Sequence, residues 1–324
     1  MLLRNKSILK LVIFVLSISL SFLFISQVLA QSEPPSDEVL VTGARLYDKW
    51  YAELGVPAPE GDMPIWSRQG TNTRSGADTW RCSECHGWDY MGVQGAYASG
   101  SHMTGFPNVM TLVGTMSIDE IVDHLKGSKD NAHDFSTYID RENLTAVAAF
   151  LKYGLIDDRD YIDPISLHVI DGNITKGRVL FEDNCVACHG TDGKTIVFRT
   201  EGYSEYLGSV ANRDPWRFLH RTRFGVAGTD MPVGFLMGWT PEDGHDILAY
   251  AQTLPSQAEI PVEKPGNLQT PTPATISQAP STSLGSGILT GISAFIGAAG
   301  YSLAFIAGFL LVGFLVVTLF RKKK

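Results

Sequence analysis

The sequence predicts a mainly helical protein with two tandem domains, a disordered linker and one C-terminal transmembrane helix. A Cys-x-x-Cys-His motif occurs twice, at residues 82–86 and 185–189. Each half of the chain ends in a stretch whose apolar residues recur at helical spacing. An uncharged run at residues 287–320 precedes four basic residues at the C-terminus. Together these features indicate two helical domains outside a membrane, held there by one helix.

The N-terminus is typical of a secretory signal peptide, which we place at residues 1–30. Basic residues precede an apolar run from Ile8 to Leu29, and Ala30 ends it before polar Gln31. A charged start, an apolar core and a small residue at the end are the features of a cleavable signal. An uncleaved membrane anchor remains the alternative, because the apolar run is long.

The C-terminal part is predicted to form a disordered linker followed by a membrane segment. Residues 255–286 are rich in Pro, Ser, Thr and Gln and cannot bury enough apolar surface to fold. Within the membrane segment 287–320, the core 298–320 has the length of one helical span. The basic tail 321–324 is expected to stay in the cytoplasm. The protein is therefore predicted to lie in the cell membrane with its domains on the periplasmic or extracytoplasmic side; a sorting tail removed after export is the alternative.

The stretch between the two ends is strongly acidic. Residues 31–264 hold 19 basic and 34 acidic residues, a net charge of −15. Such a surface repels nucleic acid, so no nucleic-acid partner is expected. The acidity either steers basic partners towards the protein or keeps an exported domain soluble.

All four cysteines fall in the two motifs. Two thiols at this spacing form thioether bonds to the vinyl groups of a haem, and the adjacent His reaches the iron from one face. Two disulfides in an oxidising compartment would not explain the paired His. We therefore predict two covalently bound haem c groups, attached through Cys82 and Cys85 with His86, and through Cys185 and Cys188 with His189.

The two halves resemble each other, and each resembles a class I cytochrome c. Residues 43–50 are similar to residues 177–184, which lead directly into the second motif. Phe150 and Tyr250 occupy matching places in the two closing helices. The resemblance implies that an N-terminal and a C-terminal helix pack across the haem edge in each of two domains, residues 31–163 and 164–254. The first departs from the pattern, since about 30 extra residues separate its opening helix from Cys82.

The resemblance also implies a sixth iron ligand on a loop before each closing helix. In the second half Met231, followed by Pro232, fits the usual Met ligand, with Met237 or His220 as alternatives. The first half lacks a Met-Pro pair, and His133 occupies the corresponding loop. We expect His133 to complete the first haem, with Met103 as the alternative. His102, Met110, Met116 and His124 remain further candidates.

These ligands predict an electron carrier rather than an enzyme. Met/His ligation raises a haem potential relative to bis-His ligation, so the first haem is expected to have the lower potential. The expected partners are redox proteins: a membrane oxidoreductase, a terminal oxidase or a soluble cytochrome. One alternative is a dihaem oxidoreductase that acts on a small inorganic substrate at the first haem. Another is a fixed dihaem subunit of a quinol-oxidising complex.

An arginine cluster on the second half offers a further contact. We expect one or two of its members to pair with haem propionates, or the cluster to dock an acidic partner. Its members are Arg213, Arg217, Arg221 and Arg223.

Overall fold

The computed structural model describes residues 34–200 and 203–256, which fall within one compact unit of the chain. The predicted signal peptide, the membrane segment, the basic tail and the linker beyond residue 256 lie outside these residues. None of the helices in the described ranges is both long and apolar enough to cross a bilayer.

The first half begins and ends in helices that pack against each other, with shorter helices between them. Asp140 caps the closing helix, and Ser117 with Glu120 forms a capping box at the helix before it. A π-helical turn continues the closing helix. The α-helices are α1 (Asp37–Glu53), α2 (Cys82–His86), α3 (Val109–Val113), α4 (Ile118–Leu125) and α5 (Arg141–Ala149), and the shorter 3-10 helices are Pro64–Arg68, Gly76–Trp80, Gly92–Gln94 and Ala96–Ala98.

The second half follows the same order of helices, with a short hairpin after its motif. Thr240 and Asp243 form a capping box at the start of the closing helix. The hairpin pairs β1 (Phe198–Thr200) antiparallel with β2 (Tyr203–Glu205). The helices are α6 (Ile174–Asn184), α7 (Val186–His189), α8 (Leu207–Arg213), α9 (Pro215–Phe224) and α10 (Pro241–Ala251).

One glycine in each opening helix allows that helix to cross its closing helix. A Cβ on Gly43 would lie 2.1 Å from the carbonyl oxygen of Ala146 in α5, and a Cβ on Gly177 would lie 1.8 Å from that of Asp246 in α10. Both neighbours are backbone atoms, which cannot move aside cheaply. The two glycines that align in the sequence therefore occupy the same kind of helix crossing.

Part of the extra segment of the first half is buried against the residues that lead into the first motif. Met63 and Trp66 are buried there, and the backbone N–H of Met63 donates to the hydroxyl of Thr79 at 2.8 Å. The indole of Trp80 donates to the carbonyl of Gly61, and the carbonyl of Trp80 accepts from the indole of Trp50 in α1. These bonds fix the chain that leads into Cys82.

The halves have separate hydrophobic cores that meet at helix α9. Phe224, at the end of α9, is fully buried in the first core, whereas Phe218 and Leu219 of the same helix lie in the second. The buried ring of His220 also enters the first half, where Nε2 donates to the carbonyl of Ala44 at 3.1 Å. Helix α9 therefore belongs to both cores.

Buried ion pairs join the halves around α9. Asp48 of α1, fully buried, binds Arg81 at 2.8 Å and binds both Nε and Nη2 of Arg221 at 3.0 Å. Asp158 accepts from Arg223 at 2.6 and 2.7 Å. Burial acts to raise the pKa of Asp48, but the two guanidinium groups outweigh it and hold that pKa well below its usual range.

Candidate haem sites

The first motif is held against helix α1 at both of its ends. At its start, Arg81 donates to the carbonyl of Asp48 at 2.8 Å and to its carboxylate. At its end, the hydroxyl of Tyr47 donates to the carbonyl of Gly87 at 2.7 Å. Gly87 has a φ of +78°, which favours glycine and turns the chain away after His86. The motif is thus a short helix with fixed ends.

The ring of His86 is oriented by a carbonyl group across the site. Its Nδ1 lies 2.9 Å from the carbonyl oxygen of Pro107, just before helix α3. A carbonyl can only accept, so Nδ1 carries the proton and the Nε2 lone pair is free to bind a metal. A Cβ on Gly92 would lie 2.5 Å from the same Pro107 oxygen, so glycine there allows the two segments to approach.

The loop between α4 and α5 brings His133 opposite His86. Phe135 anchors this loop in the first core, and its backbone N–H donates to the carbonyl of Leu125 at 2.9 Å. The Nδ1 of His133 lies 3.2 Å from the carbonyl oxygen of His124, which again leaves Nε2 as the free nitrogen. The rings of His86 and His133 are 6.4 Å apart between centres and nearly perpendicular, at 78°.

This spacing fits one metal ion between the two rings. If both Nε2 atoms point at one first-row metal from opposite sides, bonds of about 2.0 Å and ~1.1 Å from nitrogen to ring centre place the two ring centres roughly 6.2 Å apart. Burial lowers the pKa of His86 to about 4, with a further lowering from His133 against the opposing hydrogen bond to Pro107. Burial is also the main cause that lowers the pKa of His133. Both rings are therefore neutral, the form that binds a metal.

The other candidate ligands of the first half have different surroundings. His102 pairs with Arg74 at 2.7 Å and stacks on Tyr97. Met110 and Met116 pack against the first core. Met103 stays an alternative, and the carbonyl of His124 supports the ring of His133. The geometry therefore favours His133 as the partner of His86.

The cysteines of the first motif lie in an apolar setting. Cys85 is buried, and Cys82 packs partly buried against the first core. Burial raises the pKa of Cys82 to about 12 and that of Cys85 above its usual range. Buried thiols with raised pKa values are unlike the exposed, low-pKa thiols of a redox dithiol.

The second motif is presented differently. Cys188 is exposed, Cys185 is partly buried, and burial raises the pKa of Cys185 to about 11. His189 is 8% exposed, its ring lies 6.1 Å from that of Phe198, and its buried Nδ1 has no hydrogen-bond partner in the structure. The non-ligating nitrogen of a metal-binding histidine normally donates to a carbonyl or carboxylate, as in His86, and the Nδ1 of His189 lacks such a partner among the described residues. Burial also lowers the pKa of His189.

The loop after α9 carries Met231, which is partly buried. Among the described residues, no hydrogen bond or ring contact joins this loop to His189, so Met231 stays a prediction. The alternative His220 does not suit iron, because Nε2 donates to Ala44 and Nδ1 lies 2.7 Å from the hydroxyl of Tyr90. Met237 is 47% exposed.

The arginine cluster contacts protein carboxylates. Arg213 and Arg217 bind the buried Glu205 at 3.2 and 2.8 Å, while Arg221 and Arg223 bind Asp48 and Asp158. All four arginines thus form internal ion pairs, and the expected propionate contacts and docking patch stay predictions. The sequence offered no signal for these ion pairs, because each partner of Arg221 and Arg223 lies in a distant segment.

A cleft of about 910 Å³ opens beside the first motif, between the halves. Arg81, Trp88 and Tyr97 line it from the first half, and Trp216 and Arg217 from the second. Glu84 of the first motif and the candidate ligand His102 also line this cleft, whereas the four cysteines, His86, His133, His189 and Met231 do not. The cleft therefore borders the first motif.

Residues 174–255 match the family model of cytochrome c. This segment contains the second motif, Met231 and the crossing of α6 with α10. The match supports a c-type cytochrome with covalently bound haem c and a haem-based electron-transfer role, and such a role implies redox protein partners. No curated protein matches the chain significantly.

Proposed function

We propose that this chain is a dihaem c-type cytochrome that carries electrons between respiratory partners on the outer face of a membrane. One haem is attached at each motif, through Cys82 and Cys85 and through Cys185 and Cys188. The family model does not cover the first half. The observation that supports a haem there is the pairing of His86 with His133. Their spacing and neutral, carbonyl-bound rings suit bis-His ligation of an iron.

The iron ligands support an electron carrier. A haem supplies one-electron chemistry, and two ligands on each iron leave no position for a substrate. His133 is held by its loop and by the carbonyl of His124, which opposes its displacement. Met231 in the second half is proposed to give the higher potential, so electrons pass from the first haem to the second.

The ends of the chain support a tethered carrier. The signal-like residues 1–30 would export the protein, and residues 298–320 would anchor it. The Pro- and Thr-rich linker 255–286 would let the haem-bearing part search a limited volume near the membrane. Such a tether raises the effective concentration of the carrier at a membrane oxidoreductase or oxidase.

Intact-mass measurement of the purified full-length protein tests this proposal. We expect the mass of two haems on the wild type and of one haem after either Cys82→Ser with Cys85→Ser or Cys185→Ser with Cys188→Ser. A single haem on the wild type would contradict the dihaem proposal. Ligand binding to the iron of the first half in the native protein would favour an oxidoreductase instead.

A further inference from the structure

The loop that carries Met231 is bound along its length by side chains from the other half of the chain. The Nε of Arg45 in helix α1 donates to the carbonyl of Phe224 at 2.9 Å, and its Nη2 donates to the carbonyl of Met231 at 3.4 Å. Between these two points, the carboxylate of Glu53 accepts from the backbone N–H of Gly228 at 3.0 Å. Two side chains of α1 thus bind the loop at three places.

The two side chains also support each other. Arg45 and Glu53 lie two helical turns apart on α1, and their Nη1 and Oε1 atoms are 3.8 Å apart. Both side chains are 18% exposed, so the pair is largely shielded from solvent. A shielded pair with hydrogen bonds to fixed backbone groups holds its geometry better than an exposed surface pair.

Two glycines let the loop lie directly on α1. Gly225 and Gly228 have φ values of +80° and +69°, which favour glycine. A Cβ on Gly225 would lie 2.4 Å from the guanidinium of Arg45, and one on Gly228 would lie 2.6 Å from the carbonyl oxygen of Ala52. The backbone of the loop is therefore shaped to fit the surface of α1.

The backbone of Met231 itself is held on both sides. Its N–H donates to the hydroxyl of Thr229 at 3.3 Å, and its carbonyl accepts from Arg45. Pro232 follows and restricts the next φ angle. The position of the Met231 backbone is thus set in part by a residue of the first half.

We propose that Arg45 and Glu53 are positioning residues for the iron ligand of the second haem, so that the first half controls how firmly Met231 stays on the iron. This inference rests on the proposed assignment of Met231 as that ligand. Residues that orient a ligand contribute to metal binding without touching the metal, and their loss typically costs about 10–100-fold in affinity. Loosening this loop would let an added ligand compete with the thioether.

The test compares Arg45→Met with Arg178→Met in the full-length haem-loaded protein. Arg178 also pairs with a glutamate, Glu182 at 2.7 Å, but on the exposed face of α6. Imidazole is titrated into each ferric protein, and loss of the near-infrared Met–iron band reports binding at the Met-ligated haem alone. For Arg45→Met we expect imidazole to bind about tenfold more tightly and the potential of that haem to fall. Arg178→Met is expected to match the wild type.

A second variant guards against a folding defect in the first. Glu53→Ala removes the acceptor for Gly228 and is expected to shift imidazole affinity in the same direction by a smaller factor. Equal imidazole affinity and potential in wild type, Arg45→Met and Glu53→Ala would overturn the positioning role. Absence of the band from the wild type would instead contradict the assignment of Met231, and with it this inference, while leaving the haem count intact.

Discussion

The two halves of the chain share a helix crossing but differ in how the residue predicted as the sixth iron ligand is held. In the first half, His133 comes from a loop anchored within that half, and carbonyl groups orient both its ring and that of His86. In the second half, the loop of Met231 is bound by α1 of the other half, and the Nδ1 of His189 has no partner. The family match covers only the second half. The match to a family model and the paired histidines are thus found in different halves.

This difference has a physical meaning for the proposed carrier. The two predicted ligands of the first site, His86 and His133, both come from the first half, so the ligation of its haem should depend little on the second half. The loop of Met231 is bound by side chains of α1 in the first half, so substitutions in α1 should change the properties of the second site. Helix α9 and the ion pairs of Asp48 and Asp158 provide the contact through which the halves act together.

Replacing His133 should have the largest effect, because it removes a proposed iron ligand. In His133→Ala we expect the haem of the first half to become high-spin and to bind imidazole, while the second haem keeps its spectrum. Electron paramagnetic resonance of the ferric protein checks this. His168→Ala, at an exposed position outside both sites, serves as the control. An unchanged low-spin spectrum in His133→Ala would exclude it as the ligand.

Among the contacts between the halves, we expect the buried ion pairs of Asp48 to contribute most to the free energy of unfolding. Asp48→Asn leaves Arg81 and Arg221 without their buried counter-charge, and breaking a buried pair this way typically costs about 3–5 kcal/mol. Denaturant unfolding followed by far-UV circular dichroism gives the free energy. Asp119→Asn disrupts an exposed pair with Arg141, for which less than about 1 kcal/mol is expected. Similar losses of unfolding free energy in both variants would mean that the ion pairs of Asp48 stabilise the protein no more than an exposed pair does.

The glycine crossings should be comparable in the two halves. Gly43→Ala and Gly177→Ala each force a methyl group against a backbone carbonyl, which should lower the free energy of unfolding by about 1–3 kcal/mol or more. Gly70→Ala has open space around the new methyl group and should be close to neutral. If Gly43→Ala were as neutral as Gly70→Ala, the first half would lack the tight crossing that the structure shows at Gly43.

Lowering the pH should gradually weaken the buried ion pairs between the halves. The pKa values of Asp48 and Asp158 lie below their usual range; burial opposes this, but arginine partners outweigh it. Because these pKa values are lower in the folded state, the stability they contribute is complete above the unfolded value of about 3.9 and is lost as pH falls below it. Unfolding measured between about pH 6 and 3 should show this loss, and Asp48→Asn should show a smaller one. An equal slope in both proteins would exclude Asp48 as a source.

Several features of the fold and site could be predicted from local patterns. The spacing within each motif predicts haem attachment, and the alignment of Gly43 with Gly177 anticipates the crossings. The position of His133 before the closing helix predicts it as an iron ligand, and its ring lies 6.4 Å from that of His86. Such signals are local because covalent attachment and helix packing depend on residues a few positions apart.

The contacts between the halves could not be predicted in this way. Asp48 and Arg221 are separated by 173 positions, and Arg45 reaches Met231 across 186. Which arginine a carboxylate binds depends on burial and geometry. These leave no periodic pattern in a sequence. The arginine cluster is therefore visible in the sequence, whereas the internal carboxylates that it binds are not.

A spectroelectrochemical titration of the full-length protein tests the central claim most directly. The account predicts two one-electron steps: the Met–iron band disappears at the higher potential, and a bis-His haem is reduced at the lower potential. A single step from one haem, or a bis-His haem with the higher potential, would contradict the proposed asymmetry between the two halves.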